Sequence, residues 1–349
     1  MKKVPAQWRH YITNQPLNHP THHPKLYYPR NCPNDKVTSC AKPIPSFIFA
    51  GSEWAGASFV FRILKDHPQV ISAIDNSDKP TIFLDKEETE NWDEATSSNV
   101  LFETYLSQFP FLEQNRSNNK NWIVGENAPQ YLYKSHLTAK RIKEILPNVK
   151  LVFFLNDPIS RAYSQYLHEN SNLGLSFEAL IDLELPILHR CGHTNVEWEK
   201  FVRCHEGSEI RAAWKVKGSN ETHAFNLLAK GMYYPALIPF LERFPPSQLF
   251  IIRTEDILLK RLAIFEKLAR FLEIDADYFI NNWHYLIQEE FPYSPLNKQQ
   301  QDIINKEKPK LSIRYRLEKV YRDLNNRLIE IFDPSTAHFN GWIYDVDRG

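Results

Sequence analysis

The sequence predicts an α/β fold in which a parallel β-sheet is flanked by helices, as a single domain behind an irregular N-terminal arm. Three observations predict it. Short apolar runs bounded by turn residues suit strands buried on both faces. Each run is followed by apolar residues at helical spacing. The two kinds of segment alternate along the chain, which is the pattern of a parallel sheet with crossover helices.

The elements follow in order. Residues 1–44 form the arm, because Pro recurs at 5, 16, 20, 24, 29, 33 and 43 and forbids a long helix. Residues 45–349 form the domain. Ser46 to Ala50 reads as a strand that stops at Gly51, and Phe59 to Lys65 as a helix closed by His67-Pro68. Leu137 to Leu146 is helical, Val149 to Leu155 is a strand, Asp157-Pro158 is a turn and Ile159 to Glu169 is a helix. Leu237 to Phe244 is helical, Leu249 to Ile252 is a strand and Arg261 to Leu272 is helical. Leu317, Val320, Tyr321, Leu324 and Leu328 form an apolar stripe at helical spacing. Residues 170–230 are polar and read as an irregular insertion over the sheet edge. The strands at 47–50, 149–155 and 249–252 are expected to be parallel neighbours whose carboxyl ends share one crevice.

Lys plus Arg equals Asp plus Glu, at 42 each, so overall charge gives no argument for a nucleic-acid partner. An anionic ligand needs a local cluster of donors instead. No run approaches the ~20 apolar residues that span a bilayer, and the polar N-terminal arm is no signal peptide. Cys32, Cys40, Cys191 and Cys204 fall in two local pairs that suit two disulfides in an oxidising compartment, or else are four reduced thiols. Asn115-Arg116-Ser117 and Asn220-Glu221-Thr222 fit the glycosylation acceptor pattern. The expected location is the cytoplasm, or the Golgi lumen and secretory pathway if an anchor is missing. No metal is expected, since Cys191, His193, Cys204 and His205 do not have the spacing of a structural zinc site.

Two segments carry candidate chemistry. Gly51-Ser52-Glu53-Trp54-Ala55-Gly56-Ala57-Ser58 is a small-residue loop between strand and helix, which aims backbone N–H groups and a helix dipole at one point. It is also what a bare strand-to-helix turn looks like, and no Gly-Lys-Ser/Thr ends it. The second is "VKLVFFLNDPISRAYSQYLHE", where Arg161 and Ser164 sit three apart and share a helix face. Arg beside a hydroxyl is a natural phosphate clamp, and equally an ordinary helix surface.

Five segments occur in a fixed order: "PSFIFAGSEWAGASFVFRILKDHPQV", "GENAPQYLY", "LVFFLNDPISRAYSQYLHE", "KGMYYPALIPFLERFPPSQLFIIRTEDIL" and "KPKLSIRYRLEKVYRDLNNRLIEIF…FNGW". Together they resemble the PAPS-dependent sulfotransferase superfamily, in particular its heparan-sulfate-type and related bacterial branch, with its P-loop-like fold. The resemblance implies sulfuryl transfer from PAPS (3′-phosphoadenosine-5′-phosphosulfate) to a hydroxyl or amine, with adenosine 3′,5′-bisphosphate as product. The acceptor implied is a glycan or a small hydroxylated molecule. It assigns Gly51, Ser52, Trp54, Ala55, Gly56, Ala57 and Ser58 to the 5′-phosphosulfate loop, and Asn156, Arg161 and Ser164 to the 3′-phosphate.

The sequence departs from that pattern. The loop lysine of the family is Trp54, which either stacks on a ring or plugs the site, and the two Thr positions are Ala57 and Ser58. The first 3′-phosphate Arg is Asn156. The acidic residue proposed as base falls at Lys79, beside Asp78, and Asn127 stands where many members have Lys. Lys79 is the candidate to supply the missing cation, leaving acceptor activation to Asp78, Glu126 or the acceptor itself. Arg62 and Lys65 read as solvated surface charges. The alternative reading is an inactive sulfotransferase fold that binds a glycan, nucleotide or protein.

Overall fold

The structure is a computed structural model and describes residues 26–27, 42–72, 98–107, 109, 122–170, 175–193, 197–207, 226–284, 309–331 and 342. A two-residue ribbon pairs β1 (Leu26–Tyr27) with β2 (Lys42–Pro43). The main sheet holds β3 (Phe47–Gly51), β4 (Val70–Ser72), β5 (Ile123–Asn127), β6 (Lys150–Leu155) and β7 (Leu249–Arg253). Its order is β4-β5-β3-β6-β7 and every pairing is parallel. The three strands expected from sequence are therefore adjacent, in the order β3, β6, β7.

The central strands are buried on both faces, which is why they read as continuous apolar runs. One face packs against α1 (Ala57–Lys65), α9 (Arg261–Leu272) and α10 (Asp277–Asn281) through Phe59, Ile63, Phe265 and Phe279. The other packs against α3 (Ser135–Ile145), α4 (Pro158–Gln165), α7 (Tyr233–Arg243) and α11 (Leu311–Ile329). The stripe Leu317, Val320, Tyr321, Leu324 and Leu328 is buried as its spacing predicts. α2 (Ser98–Leu106) and α8 (Thr254–Leu259) complete the elements that flank the sheet. Gly125 in β5 is required by a close approach, since a Cβ there would lie 2.0 Å from the Phe47 ring.

Two parts differ from the sequence reading. β4 and β5 join the sheet as strands that it did not give. Residues 170–230, read as irregular, contain α5 (Phe177–Cys191) and α6 (Trp198–His205). Their faces bury Phe177, Leu180, Leu188, Trp198 and Phe201 in the core cluster that also contains residues of α3, α4 and α7. Amphipathic helices with polar outer faces have a polar average composition, and that average concealed them. A disulfide joins Cys191 to Cys204 with Cα atoms 5.7 Å apart, as expected from sequence. Cys32, Cys40, Asn115 and Asn220 lie outside the described residues. Among the described residues no helix is long and apolar enough to cross a membrane.

His67, just beyond α1, is expected to make the fold pH-sensitive. Its Nδ1 accepts the Gln69 N–H at 3.1 Å, so the proton sits on Nε2, 2.9 Å from the Asp275 carbonyl. Burial holds its pKa below the ordinary 6.5, against an opposing pull from Asp275. The unfolded chain therefore binds the extra proton first, and stability is lost as pH falls below about 6.5. Urea midpoints at about pH 7.5 and pH 5.5 should fall less in His67→Gln than in the natural chain. An equal fall in both would remove His67 from the account.

Candidate active site at the carboxyl ends of the sheet

Because every pairing in the main sheet is parallel, the ends of β3, β5, β6 and β7 open on one side. The register places Phe49 opposite Asn127, Gly51 opposite Phe153, and Leu155 opposite Arg253. Open α/β sheets bind ligands along this edge.

The loop from Gly51 to Gly56 leaves β3 here. Ser52 N–H donates to the Phe154 carbonyl at 2.8 Å, tying the loop to β6. Trp54 and Gly56 both have left-handed backbones, with φ of 62° and 86°. Glycine adopts this freely, whereas an indole-bearing residue does so at a cost of roughly 1 kcal/mol. Gly56 is the N-cap of the nine-residue α1 and supplies no side chain to it. α4 is the contrast. Its N-cap Asp157 accepts from Ile159 N and Ser160 N, and Ser160 Oγ and Arg314 add to the same carboxylate. The first turn of α4 is closed by its own carboxylate, while among the described residues no side chain caps the first turn of α1.

Asn127 stands beside that opening. Its Nδ2 donates to Ser58 Oγ at 3.0 Å, and its Oδ1 is buried with no partner. A hydroxyl can donate or accept, so the amide can turn over and present Nδ2 instead. Only the turned-over amide, with Nδ2 free, offers this residue's donor to an anion; as placed, the free atom is an acceptor in a residue only 7% exposed. With the amide turned over, Asn127 Nδ2 and the backbone N–H groups of the first turn of α1 fit a bound anion.

Trp54 does not stand alone. Its indole stacks on His168, with ring centroids 5.0 Å apart and planes 20° from parallel. His168 lies in the wide turn Tyr166–Asn170 that follows α4. Ala55, Gly56 and Ala57 are buried, and the Ala55 carbonyl accepts from Thr254 Oγ1 at 2.7 Å. Ser52 meets the Tyr233 hydroxyl, which donates to the Asn156 carbonyl at 2.9 Å and is raised by burial. Asn156 thus contributes its backbone to the loop side, and Ser164 is half-buried.

Two expected site residues are placed otherwise. Arg161 was expected to clamp a phosphate, but it is fully buried. Its Nη1 donates to Gln165 at 3.1 Å within α4, its Nη2 donates to the Leu227 carbonyl, and its buried Nε has no partner among the described residues, so one terminal nitrogen ties residue 227 to α4. Glu126 was a candidate for acceptor activation. It is fully buried between Tyr105 and Tyr131, which donate to it at 2.5 and 2.8 Å. A carboxylate so enclosed holds two rings together, and among the described residues it faces the core rather than an opening. Lys79 and Asp78 lie outside the described residues. Arg62 is exposed and lies over the Phe59 ring, 5.6 Å from its centroid. Cys191 and Cys204 are consumed by the disulfide, so they are not thiolate ligands for a metal.

Sequence reasoning missed Lys230. It lies in the short turn Ala229–Gly231, and its Nζ is 2.7 Å from Glu53 Oε2 on the loop. The signal was present as the first residue of the "KGMYY" match, but nothing in the sequence says that it reaches residue 53.

Comparison with known proteins places this geometry. The chain is 26% identical over 340 residues to the membrane-associated sulfotransferase kil1 of Dictyostelium discoideum, covering 81% of this chain and 65% of that protein. It is 25% identical over 248 residues to the human bifunctional heparan sulfate N-deacetylase/N-sulfotransferase 3, covering 70% of this chain and 24% of that protein. The chain thus spans less than two thirds of the length of either relative. A sulfotransferase from Alicyclobacillus acidocaldarius superposes with a TM-score of 0.44 at 18% identity, over 80% of this chain and 96% of that one. The family model for the sulfotransferase domain matches residues 51–337, from the end of β3 to beyond α11, and the chain belongs to that family.

Proposed function

We propose that this protein transfers a sulfuryl group from PAPS to a hydroxyl or amine of a glycan or small hydroxylated acceptor. The observation that carries the reading is the head of α1: a helix whose N-cap has no side chain, with an unsatisfied buried amide atom of Asn127 beside it. Family membership supports sulfuryl transfer as the reaction class, and the heparan sulfate enzyme among the relatives supports a glycan acceptor. The bridge Cys191–Cys204 favours an oxidising compartment, such as the secretory pathway.

In this reading the loop backbone from Ser52 to Ser58 and the α1 dipole hold the 5′-phosphosulfate. Asn127 fixes the Ser58 hydroxyl toward it. Asn156 and Ser164 flank the 3′-phosphate, while Arg161 acts from behind by fixing residue 227. When bound, PAPS supplies the electrophilic sulfur and a phosphate leaving group. The chain orients that group and offsets its growing charge, as in phosphoryl transfer.

Calorimetric titration with adenosine 3′,5′-bisphosphate tests the donor. Saturable one-to-one binding is expected, and Trp54→Lys should tighten it by about tenfold, the effect of one charge-assisted contact. No binding by either protein would overturn the reading and leave a sulfotransferase fold that serves as a binding module.

A further inference from the structure

The family's loop lysine is Trp54 here, and the structure brings a cation to the loop from elsewhere in the chain. We propose that Lys230 is the relocated cation of the anion site, and that Glu53 is its counter-ion until an anion displaces it. This rests on the proposed PAPS reading and names the side chain that carries its charge.

Placement is the first argument. Lys230 Nζ lies 2.7 Å from Glu53 Oε2, one residue before Trp54, and the two side chains are 12% and 22% exposed. The pair is sheltered enough to matter, yet open enough to exchange partners. Meanwhile Trp54 turns its ring to His168. The charge absent at position 54 is thus present at its neighbour, brought by a residue 177 positions away (230 − 53 = 177).

Rigidity is the second. The turn that carries Lys230 is held far more firmly than an ordinary surface turn. The buried Glu184 carboxylate accepts the backbone N–H of Leu228 at 2.9 Å and of Ala229 at 3.0 Å. Arg161 donates to the Leu227 carbonyl, and the Tyr321 hydroxyl donates to the Leu228 carbonyl at 2.8 Å. Gly231 sits so close to Pro158 and Tyr321 that a Cβ would lie 2.9 and 3.0 Å from them. Four buried anchors from α4, α5 and α11 thus fix the backbone on either side of this lysine. A fixed backbone confines the reorganisation to the lysine side chain, which exchanges Glu53 for the anion on binding and is then in place when charge develops.

Chemistry is the third. A phosphate dianion seated at a helix N-terminus outcompetes one carboxylate for an ammonium within its reach. On binding, Lys230 passes from Glu53 to the phosphate. In transfer, the acceptor oxygen or nitrogen bonds to sulfur and loses its proton to solvent or a base. The bond from sulfur to the bridging oxygen breaks, its electron pair stays on the 5′-phosphate, and Lys230 meets that charge.

The test is a set of adenosine 3′,5′-bisphosphate titrations with opposite expected signs. Lys230→Met should weaken binding about tenfold and Lys230→Arg should keep it within a few-fold. Glu53→Gln should tighten binding about fivefold, because it removes the competitor. If the pair merely clips the loop to the turn, Lys230→Met and Glu53→Gln will shift affinity in the same direction, and the proposal is overturned. Thermal melting accompanies each variant, and if Lys230→Met fails to fold, the sign of Glu53→Gln decides. Binding by the natural chain with no change in any variant overturns Lys230 alone and leaves the donor reading standing. No binding by the natural chain removes the donor reading and this proposal together.

Discussion

Glu184→Ala is expected to lower unfolding free energy by about 4 kcal/mol, because it strands two buried backbone donors and one buried imidazole. Glu184 is 1% exposed on α5 and is the meeting point of three segments. Its carboxylate accepts from Leu228 N and Ala229 N, and His205 Nε2 lies 3.2 Å away. Hydrogen bonds to a charged acceptor contribute about 1.5–3 kcal/mol each, and orphaned N–H groups have no route to water here. Glu184→Gln keeps one carbonyl oxygen and should recover more than half of the loss. Urea unfolding of the three proteins measures this. A fall of less than about 1 kcal/mol in Glu184→Ala would mean that the turn finds other acceptors, and that its backbone is not fixed as argued. The same variant should weaken bisphosphate binding, since the turn delivers Lys230 to Glu53.

The sheet was legible where burial leaves a mark on composition. β3, β6 and β7 are apolar along their length, and α1, α9 and α11 carry stripes. β5 was not legible as a strand, because "IVGEN" combines a glycine with a charge. Its glycine answers the Phe47 ring and its Glu126 answers two tyrosines, and neither demand can be read locally. The loop was legible because its backbone makes the site and small residues betray it. The charged residues were not. Periodicity put Arg161 and Ser164 on one face of α4 but could not say that the longer side chain turns inward, toward a carbonyl 66 residues away. Lys230 stood in a recognisable motif, yet its partner is set by how Glu184, Arg161 and Tyr321 hold the turn.

Reduction of the Cys191–Cys204 disulfide is expected to lower stability by about 3 kcal/mol. The bridge closes a loop of 13 residues between α5 and α6, and loops of that size restrict the unfolded chain by about this amount. The folded pair keeps other ties. Trp198 stacks on Phe201 and donates to the Tyr133 carbonyl at 3.1 Å, while Lys134 pairs with Glu206. These ties lead to a reduced protein that still folds but melts earlier, and Cys191→Ser with Cys204→Ser should match it. Equal melting with and without reductant would show that the bridge does not form in solution. The consequence reaches the site through α5, because the helix that ends in Cys191 also carries Glu184. Loosening it should weaken bisphosphate binding, though less than Glu184→Ala does, since the carboxylate itself remains. If reduction lowers the melting temperature and leaves binding untouched, α6 is a separate buttress and the turn of Lys230 is held by Arg161, Tyr321 and Glu184 without it.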